Sequence, residues 1–235
     1  MKAPIPDNEA QRLAALKEYQ VLDSAPEQLY DDITALAAYI CDVPIALISL
    51  VDESRQWFKS KLGLNEQETP RDIAFCAHTI LQTEPLIVRD ALKDARFANS
   101  DLVTGAPNIR FYAGFPLASP EGFGLGSLCA IDRKPRHLSA QQKQAMKALS
   151  RQVMALLELR RVSARLADAL ANVKSLSGLL PICAWCKRIR DDQGYWSQVE
   201  AYVHAHTGAD FTHGICPECF EKMRPKPSAA ESDSP

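Results

Sequence analysis

Two pairs of cysteines in the last quarter of the chain have the spacing of a metal site. Cys183 and Cys186 form one CxxC pair, and Cys216 and Cys219 form a second pair after 29 intervening residues. A gap of two residues lets a tight turn direct both sulfurs at one tetrahedral ion, with Zn–S distances near ~2.3 Å. Four thiolates leave no open position for water, so the pattern predicts a structural zinc ion that stabilises a small module.

Other chemistry at these cysteines stays open. His213 could replace one thiolate, since it lies three residues before Cys216, and His204 and His206 are further nitrogen donors. A redox dithiol at Cys183 and Cys186 is the other reading of the same spacing. Attachment of a c-type haem is excluded because neither pair is followed by histidine.

The overall charge is close to zero, so the chain lacks the positive charge that favours binding to nucleic acid or to a membrane surface. The chain has 235 residues, 46% of them hydrophobic, and 27 basic residues against 29 acidic ones. Residues 178–225 contain five basic and six acidic side chains, so nucleic-acid binding by the cysteine-rich module is disfavoured. The apolar stretch Ile45 to Val51 is far too short to span a bilayer, and the N-terminus lacks an apolar signal region. These features predict a cytoplasmic protein without a membrane partner.

Hydrophobic periodicity and capping signals predict the helices and strands of the chain. The pattern predicts an α+β fold in which helices lie on one side of a central antiparallel sheet. We expect helices at about 8–19 and from Ser24 onward, the second with an apolar face of Leu29, Ile33, Leu36 and Ile40. Along the chain, a strand is then predicted at 43–52, with its hairpin partner at 56–63. A short helix within 72–82 comes next, followed by strands at 85–90, 111–118 and 124–132.

A long helix is expected from the capping-box pair Ser139 and Gln142 to about Ser175. Its apolar residues keep the alternating three- and four-residue spacing of a coiled-coil seam, in the order Leu156, Leu159, Ser163, Leu166, Leu170 and Val173. This spacing predicts a homodimer, although a helix packed along its own domain shows the same pattern. The expected division is a sensor domain at 8–150, a helical connector at 151–177, a zinc module at 178–225 and a disordered tail at 226–235.

Several phrases, in the right order, resemble the GAF domains of bacterial signalling proteins. The phrases that carry the resemblance are 8–13 (NEAQRL), 22–24 (LDS), 48–52 (ISLVD), 72–80 (DIAFCAHTI), 109–114 (IRFYAG), 116–117 (PL) and 126–132 (GSLCAID). The resemblance covers about two thirds of the chain. It implies a PAS-like antiparallel sheet with helices behind it, a ligand pocket in front, and a role in sensing or dimerisation.

The resemblance does not name the ligand. The pattern of the cyclic-nucleotide branch is missing, and Ala77 separates Cys76 from His78, so the Cys-His dipeptide that carries a bilin is absent. We expect Cys76, His78, Arg110 and Tyr112 to line the pocket. For Cys76 and Cys129, inert packing and redox sensing are both open. His78 could instead be a hydrogen-bonded structural histidine, and Arg110 could tie the long loop before it to Asp72 or another nearby acid.

The sequence shows no catalytic motif, so a protein without enzymatic activity is expected. A thiol-based redox sensor and a GAF-fold enzyme similar to methionine sulfoxide reductase are the alternatives. The segment from Leu179 to Pro217 resembles a C-terminal module that follows bacterial sensor or receiver domains, which implies a place in signalling and no particular activity. We expect an unidentified signalling protein as the partner. The resulting hypothesis is a sensor that relays its state through a helix to a zinc-stabilised interaction module.

Overall fold

The computed structural model describes residues 2–172, 180–191, 193–207 and 209–223. The chain forms two compact units, Met1–Leu166 and Ala167–Pro235. The division falls inside the predicted connector 151–177. The predicted tail at 226–235, the seam residue Val173 and the expected end of the long helix at Ser175 lie outside the described residues.

An antiparallel sheet forms the centre of the first unit. Among its described residues the sheet has six strands, which are β1 (Ile45–Val51), β2 (Arg55–Leu62), β3 (Glu68–Pro70), β4 (Leu86–Val88), β5 (Phe111–Ala118) and β6 (Gly124–Asp132). Their order across the sheet is β3-β2-β1-β6-β5-β4. This arrangement confirms the predicted fold class. The short edge strand β3 was not predicted.

Strand β1 contributes side chains to both faces of the sheet, because successive residues of a strand point in opposite directions. Ala46, Ile48 and Leu50 belong to one buried cluster. Ile45, Leu47 and Val51 belong to another. The continuous apolar run in the sequence therefore reflects a strand that is covered on both sides.

Three helices cover the first face. They are α1 (Glu9–Glu18), α2 (Gln28–Cys41) and α5 (Ala140–Asn172), and all three contribute side chains to the first cluster. The start of α5 is fixed by the predicted capping box: the Gln142 amide N–H donates to Ser139 Oγ at 3.1 Å, and the Ser139 N–H donates to Gln142 Oε1 at 2.9 Å. Val153 and Leu157 are fully buried in the same cluster, so the predicted connector begins within the domain core.

The apolar face of α2 differs from the predicted one. Leu29 is 59% exposed and Leu36 is 49% exposed, whereas Tyr30, Ala37 and Cys41 are buried. Small residues at 37, 38 and 41 allow the helix backbone to approach the sheet closely, and the leucines are left on the outside.

The second face is covered by α3 (Phe75–Thr79), by α4 (Asp101–Thr104) and by the segment around them. Residues 91–110, predicted to be a loop, contain the four-residue α4 and a 3₁₀ turn at Ala91–Lys93. Buried apolar residues here include Phe97 and Val103, so the segment packs against the sheet.

The second unit is small and contains short elements. Its described elements are the two-stranded ribbon β7 (Ile189–Arg190) and β8 (Trp196–Ser197), followed by α6 (Val199–Thr207) and α7 (Pro217–Met223). Within the described residues, no helix has both the length and the apolarity needed to cross a bilayer.

Candidate ligand cavity and adjacent thiol pair

A cavity of about 100 Å³ lies on the second face of the sheet. Its wall is mainly apolar and comes from β1, β2, β3 and the loop before it, β5, β6, α3 and the segment around α4. The lining residues are Leu47, Gln56, Phe58, Leu64, Glu66, Thr69, Phe75, Cys76, Leu102, Ala106, Pro107, Ile109, Tyr112 and Ile131.

Two polar atoms of this wall lack a hydrogen-bond partner among the described residues. They are Gln56 Oε1 and Thr69 Oγ1, both inaccessible to solvent as atoms. Gln56 on β2 and Thr69 on β3 are paired across the two strands. A buried polar atom without a partner costs about 1–3 kcal/mol, so the two together identify a place where a polar ligand group would be stabilised.

A buried polar cluster adjoins the cavity through Cys76 and Tyr112. Cys76 Sγ lies 3.2 Å from Cys129 Sγ. The Ser49 hydroxyl donates to Cys76 Sγ at 3.0 Å, and Ser127 Oγ lies 3.0 Å from Cys129 Sγ. Tyr112 OH donates to Cys76 Sγ at 3.3 Å.

The surroundings of the two thiols shift their pKa values in opposite directions. Burial raises the pKa of Cys76, but hydrogen bonds from Cys129, Ser127, Ser49 and Tyr112 outweigh it and lower the pKa below the usual thiol range. The pKa of Cys129 is raised well above that range by burial and by its proximity to Cys76. The hydroxyl groups around Cys76 therefore favour a thiolate at this sulfur.

The structure brings together only part of the predicted ligand set. Cys76 and Tyr112 line the cavity. His78 does not belong to that wall; it is buried with its ring against the edge of Phe97, with 4.9 Å between ring centroids. Arg110 donates to the carbonyls of Val103 (2.8 Å) and Ile109 (3.0 Å), so it holds the loop through backbone carbonyls, whereas the alternative in the sequence analysis was an acidic partner.

Gln56 and Thr69 were missed by the sequence analysis. Gln56 was placed in a strand without a role, and Thr69 was not assigned to any element. The residues of β2 (RQWFKSKL) do not alternate between polar and apolar, so its sequence does not reveal that Gln56 is buried.

The C-terminal cysteines form two separate turns. The Cys186 amide N–H donates to Cys183 Sγ at 3.5 Å, and Lys187 adopts a positive φ of 61° directly after this turn. Hydrogen bonds from backbone amides lower the pKa of Cys183, chiefly from Cys186, and of Cys216, chiefly from Cys219. Each pair thus has the local chemistry of a thiolate metal ligand, but within the described residues no group of three or more His, Cys, Asp or Glu side chains that could hold an ion is formed. The zinc site stays a prediction.

A sequence profile of the GAF domain matches residues 25–157, more than half of the chain. The chain belongs to the GAF domain family. This confirms the resemblance seen in the sequence, and with it a role of the GAF domain in sensing and signalling.

A curated relative with a similar GAF region is a cyclic di-GMP phosphodiesterase of Pseudomonas aeruginosa. It is 44% identical over 143 residues, which are 61% of this chain and 24% of the relative. The chain thus spans about a quarter of the length of that protein. The prediction of a protein without enzymatic activity is wrong by this comparison, because the relative that shares the GAF part is named as an enzyme.

Solved structures similar to the chain include two bacterial domains. One is a domain of a two-component sensor histidine kinase protein from Sinorhizobium meliloti, 18% identical, covering 61% of this chain and 97% of that chain, with a TM-score of 0.48. The other is the GAF domain of a phosphoenolpyruvate-protein phosphotransferase from Acinetobacter. It is 17% identical, covers 67% of this chain and 96% of that chain, and has a TM-score of 0.48.

Proposed function

We propose that the GAF domain senses a small molecule with at least one N–H or O–H group on a compact apolar body. The observation that carries this proposal is the pair of unpartnered buried oxygens, Gln56 Oε1 and Thr69 Oγ1, on two residues of a mainly apolar cavity wall that also includes Glu66, Cys76 and Tyr112. A glutamine oxygen accepts a hydrogen bond and a threonine hydroxyl donates or accepts one, so a hydroxyl or amino group matches both.

The size of the cavity limits the ligand. About 100 Å³ is well below the roughly 300–1,000 Å³ of sites for drug-sized molecules. A dinucleotide such as cyclic di-GMP is too large for it.

We propose that the chain acts in cyclic di-GMP signalling, as the name of the Pseudomonas relative suggests, with a smaller molecule as the signal received by the GAF domain.

Two further parts of the proposal concern transmission. We propose that α5 pairs with its copy in a homodimer, since Leu159 is 64% and Leu166 58% exposed on that helix. For the second unit, we propose that zinc holds the two CxxC turns and that exposed aromatic side chains such as Trp185 and Tyr195 meet a protein partner.

The cavity proposal is tested with Thr69→Val. The variant removes an unpartnered hydroxyl, so we expect the ligand-free protein to be more stable by about 1 kcal/mol. The measurement is the melting temperature of the full chain, alone and with a panel of short-chain alcohols and amino alcohols. Compounds that raise the melting temperature of the wild type are expected to lose their effect on Thr69→Val and on Gln56→Leu.

Thr34→Val is the matched control. Thr34 is a buried threonine on α2 whose hydroxyl donates to the Tyr30 carbonyl at 3.0 Å. Its removal is expected to leave the response to the probes intact. If no probe stabilises the wild type, or if Thr69→Val keeps the full response, the cavity is not the sensing site.

A further inference from the structure

The two thiols beside the cavity are placed for a covalent bond. Cys76 on α3 and Cys129 on β6 are separated by 53 positions in sequence, yet their sulfurs lie 3.2 Å apart. A disulfide has an S–S distance of about 2.03–2.05 Å, so the sulfurs need to approach by about 1 Å. The neighbouring thiols therefore require a small local shift rather than a rearrangement of the fold.

The surroundings of the pair are not those of two cysteines that only fill space. A buried cysteine in a packing role behaves as a small apolar group. Here hydroxyls approach both sulfurs, from Ser49 to Cys76 and from Ser127 to Cys129, each at 3.0 Å. Tyr112 OH reaches Cys76 at 3.3 Å and Cys129 at 3.6 Å. Such donors stabilise a thiolate and the oxygen that leaves a sulfur during oxidation.

The two sulfurs differ in their position relative to the cavity. Both residues are buried, with Cys76 1% and Cys129 0% exposed, but Cys76 belongs to the cavity wall and Cys129 is not one of the described residues that line it. The hydroxyls of Ser49 and Tyr112 donate to Cys76 Sγ. The position at the cavity and these two donors thus both select Cys76 as the attacking sulfur.

We propose that Cys76 and Cys129 form a reactive dithiol that reduces a small hydroperoxide and becomes an intramolecular disulfide. The proposal does not depend on the identity of the sensed ligand. The dithiol proposal and the sensing proposal have only the cavity in common, since the hydroperoxide reaches Cys76 through it.

The reaction has two displacements. The Cys76 thiolate attacks the terminal oxygen of the hydroperoxide, the O–O bond breaks, and the alkoxide leaves as an alcohol (water from hydrogen peroxide) with the thiol proton. Cys76 is then a sulfenic acid. Cys129 attacks this sulfur, the S–S bond forms, the S–O bond breaks, and hydroxide leaves as water with the proton of Cys129. Two thiols are oxidised, one hydroperoxide is reduced, and an external thiol is needed to restore the pair.

The test is peptide mapping of the full wild-type chain after exposure to hydrogen peroxide and blocking of free thiols. Trypsin places Cys76 in peptide 72–89 and Cys129 in peptide 111–133, and each peptide contains one cysteine. We expect these two peptides to become linked, with loss of two hydrogen atoms, and to separate after reduction. Cys41 is the internal control, because burial raises the pKa of this thiol to about 11 and it is expected to stay reduced.

Two variants separate the roles of the sulfurs. In Cys129→Ser, dimedone is expected to label a sulfenic acid on peptide 72–89, while Cys76→Ser is expected to leave Cys129 unlabelled. Linkage of either peptide to Cys41, or no linkage in the folded wild type, overturns the proposal. Thr69→Val, which removes the hydroxyl assigned to ligand binding, is expected to form the disulfide normally, so failure of the sensing proposal and failure of the dithiol give different results.

Discussion

The Tyr112 hydroxyl is the residue-scale link between the cavity and the thiols. It lies 2.7 Å from Thr79 Oγ1 and donates to Cys76 Sγ at 3.3 Å. The space for this hydroxyl is provided by Gly114, because a Cβ at that position would overlap it. The geometry of the thiol cluster therefore depends on a glycine in β5 as well as on its polar side chains.

Tyr112→Phe tests this link. Loss of one hydrogen bond to the thiolate is expected to raise the pKa of Cys76 and to slow its reaction at neutral pH by about threefold to tenfold. The measurement is the rate at which methyl methanethiosulfonate modifies peptide 72–89 between pH 6 and 9, a range of about three units around the thiol pKa. The rate of Tyr112→Phe is expected to rise at higher pH than that of the wild type.

The groups that face Cys76 and titrate or donate are Cys129 on β6 and Tyr112 on β5, with Ser127 on β6 and Ser49 on β1 as neutral donors. Tyr39→Phe is the matched control, since Tyr39 is exposed on α2. An unchanged pH profile in Tyr112→Phe would show that this hydroxyl does not support the thiolate.

At the scale of single residues, the sequence predicts some of the residues that line the cavity but not the residues that they contact. Cys76 and Tyr112 were expected at the pocket and line it, because they belong to phrases typical of the family. Gln56 and Thr69 gave no signal, since a polar residue on a strand indicates a solvent-facing position unless the neighbouring strand is known.

At the scale of elements, α1 is anchored to the sheet by a buried arginine. Arg12 is almost fully buried and its guanidinium donates to both oxygens of Glu9 at 2.8 Å and to the Val51 carbonyl at 2.7 Å. Arg71 donates to Glu9 Oε1 at 2.5 Å. The hydrogen bond from Arg12, followed by that from Arg71, outweighs the effect of burial and lowers the pKa of Glu9 to about 2.

Glu9→Gln is expected to lower the free energy of unfolding by about 3 kcal/mol at neutral pH, because it leaves Arg12 without its carboxylate. The ordinary pKa of Glu9 is 4.5, so its contribution is complete above pH 4.5 and is lost as the pH falls towards 2. The difference between wild type and variant in urea unfolding should therefore shrink over this range.

Glu18→Gln is the control for this change. Glu18 lies on the same helix and is about half exposed, and its carboxylate accepts from Arg165 at 2.6 Å. Exposed ion pairs contribute about 0–1 kcal/mol, so a small and nearly pH-independent effect is expected. Equal losses in the two variants would contradict the anchoring role of Glu9.

The elements themselves follow closely from the sequence. Strands β5 and β6 have the predicted limits, and the capping box at Ser139 begins α5 where expected. The predicted face of α2 was wrong at Leu29 and Leu36, which are exposed, whereas Ile33 is buried as predicted. A second series, Tyr30, Ala37 and Cys41, has helical spacing as well and is the one that packs against the sheet. Periodicity identifies a helix but cannot decide which of two apolar stripes the sheet covers.

At the scale of the whole molecule, α5 offers apolar surface for a second chain. Leu159, Val162 and Leu166 are each more than half exposed at three- and four-residue spacing. The predicted seam differs at Leu156, which is partly buried against the domain core. Leu159, Leu166 and Leu170 of the predicted seam are exposed, and Val162 is a further exposed apolar residue beside them.

We expect Leu166→Glu to convert a dimer into a monomer at micromolar concentration, because each copy would place a carboxylate in the seam. Sedimentation equilibrium of the full chain measures this. Leu92→Glu, at a half-exposed leucine in the Ala91–Lys93 turn, is expected to leave the dimer intact. A monomeric wild type, or an equal loss in both variants, would exclude dimerisation through this stripe.

The zinc prediction is tested by metal content and its consequence for the second unit. One zinc per chain is expected, reduced in Cys183→Ser and Cys216→Ser and unchanged in Cys41→Ser. Removal of zinc by a chelator should increase hydrogen exchange in α6 and α7 and leave the first unit unchanged, because metal binding supplies folding free energy to a small module. A wild type free of zinc, or normal zinc content in Cys216→Ser, would contradict the assignment.

The strands at the two borders of the sheet, β3 and β4, have only three residues each. A border strand with few free backbone groups is a poor template for an incoming strand from another molecule. Strand addition at β3 and β4 themselves is therefore disfavoured. Strands β2 and β5 pair with these short strands only at residues 55–57 and 112–114, so the remaining length of β2 and β5 is where another strand would have to add.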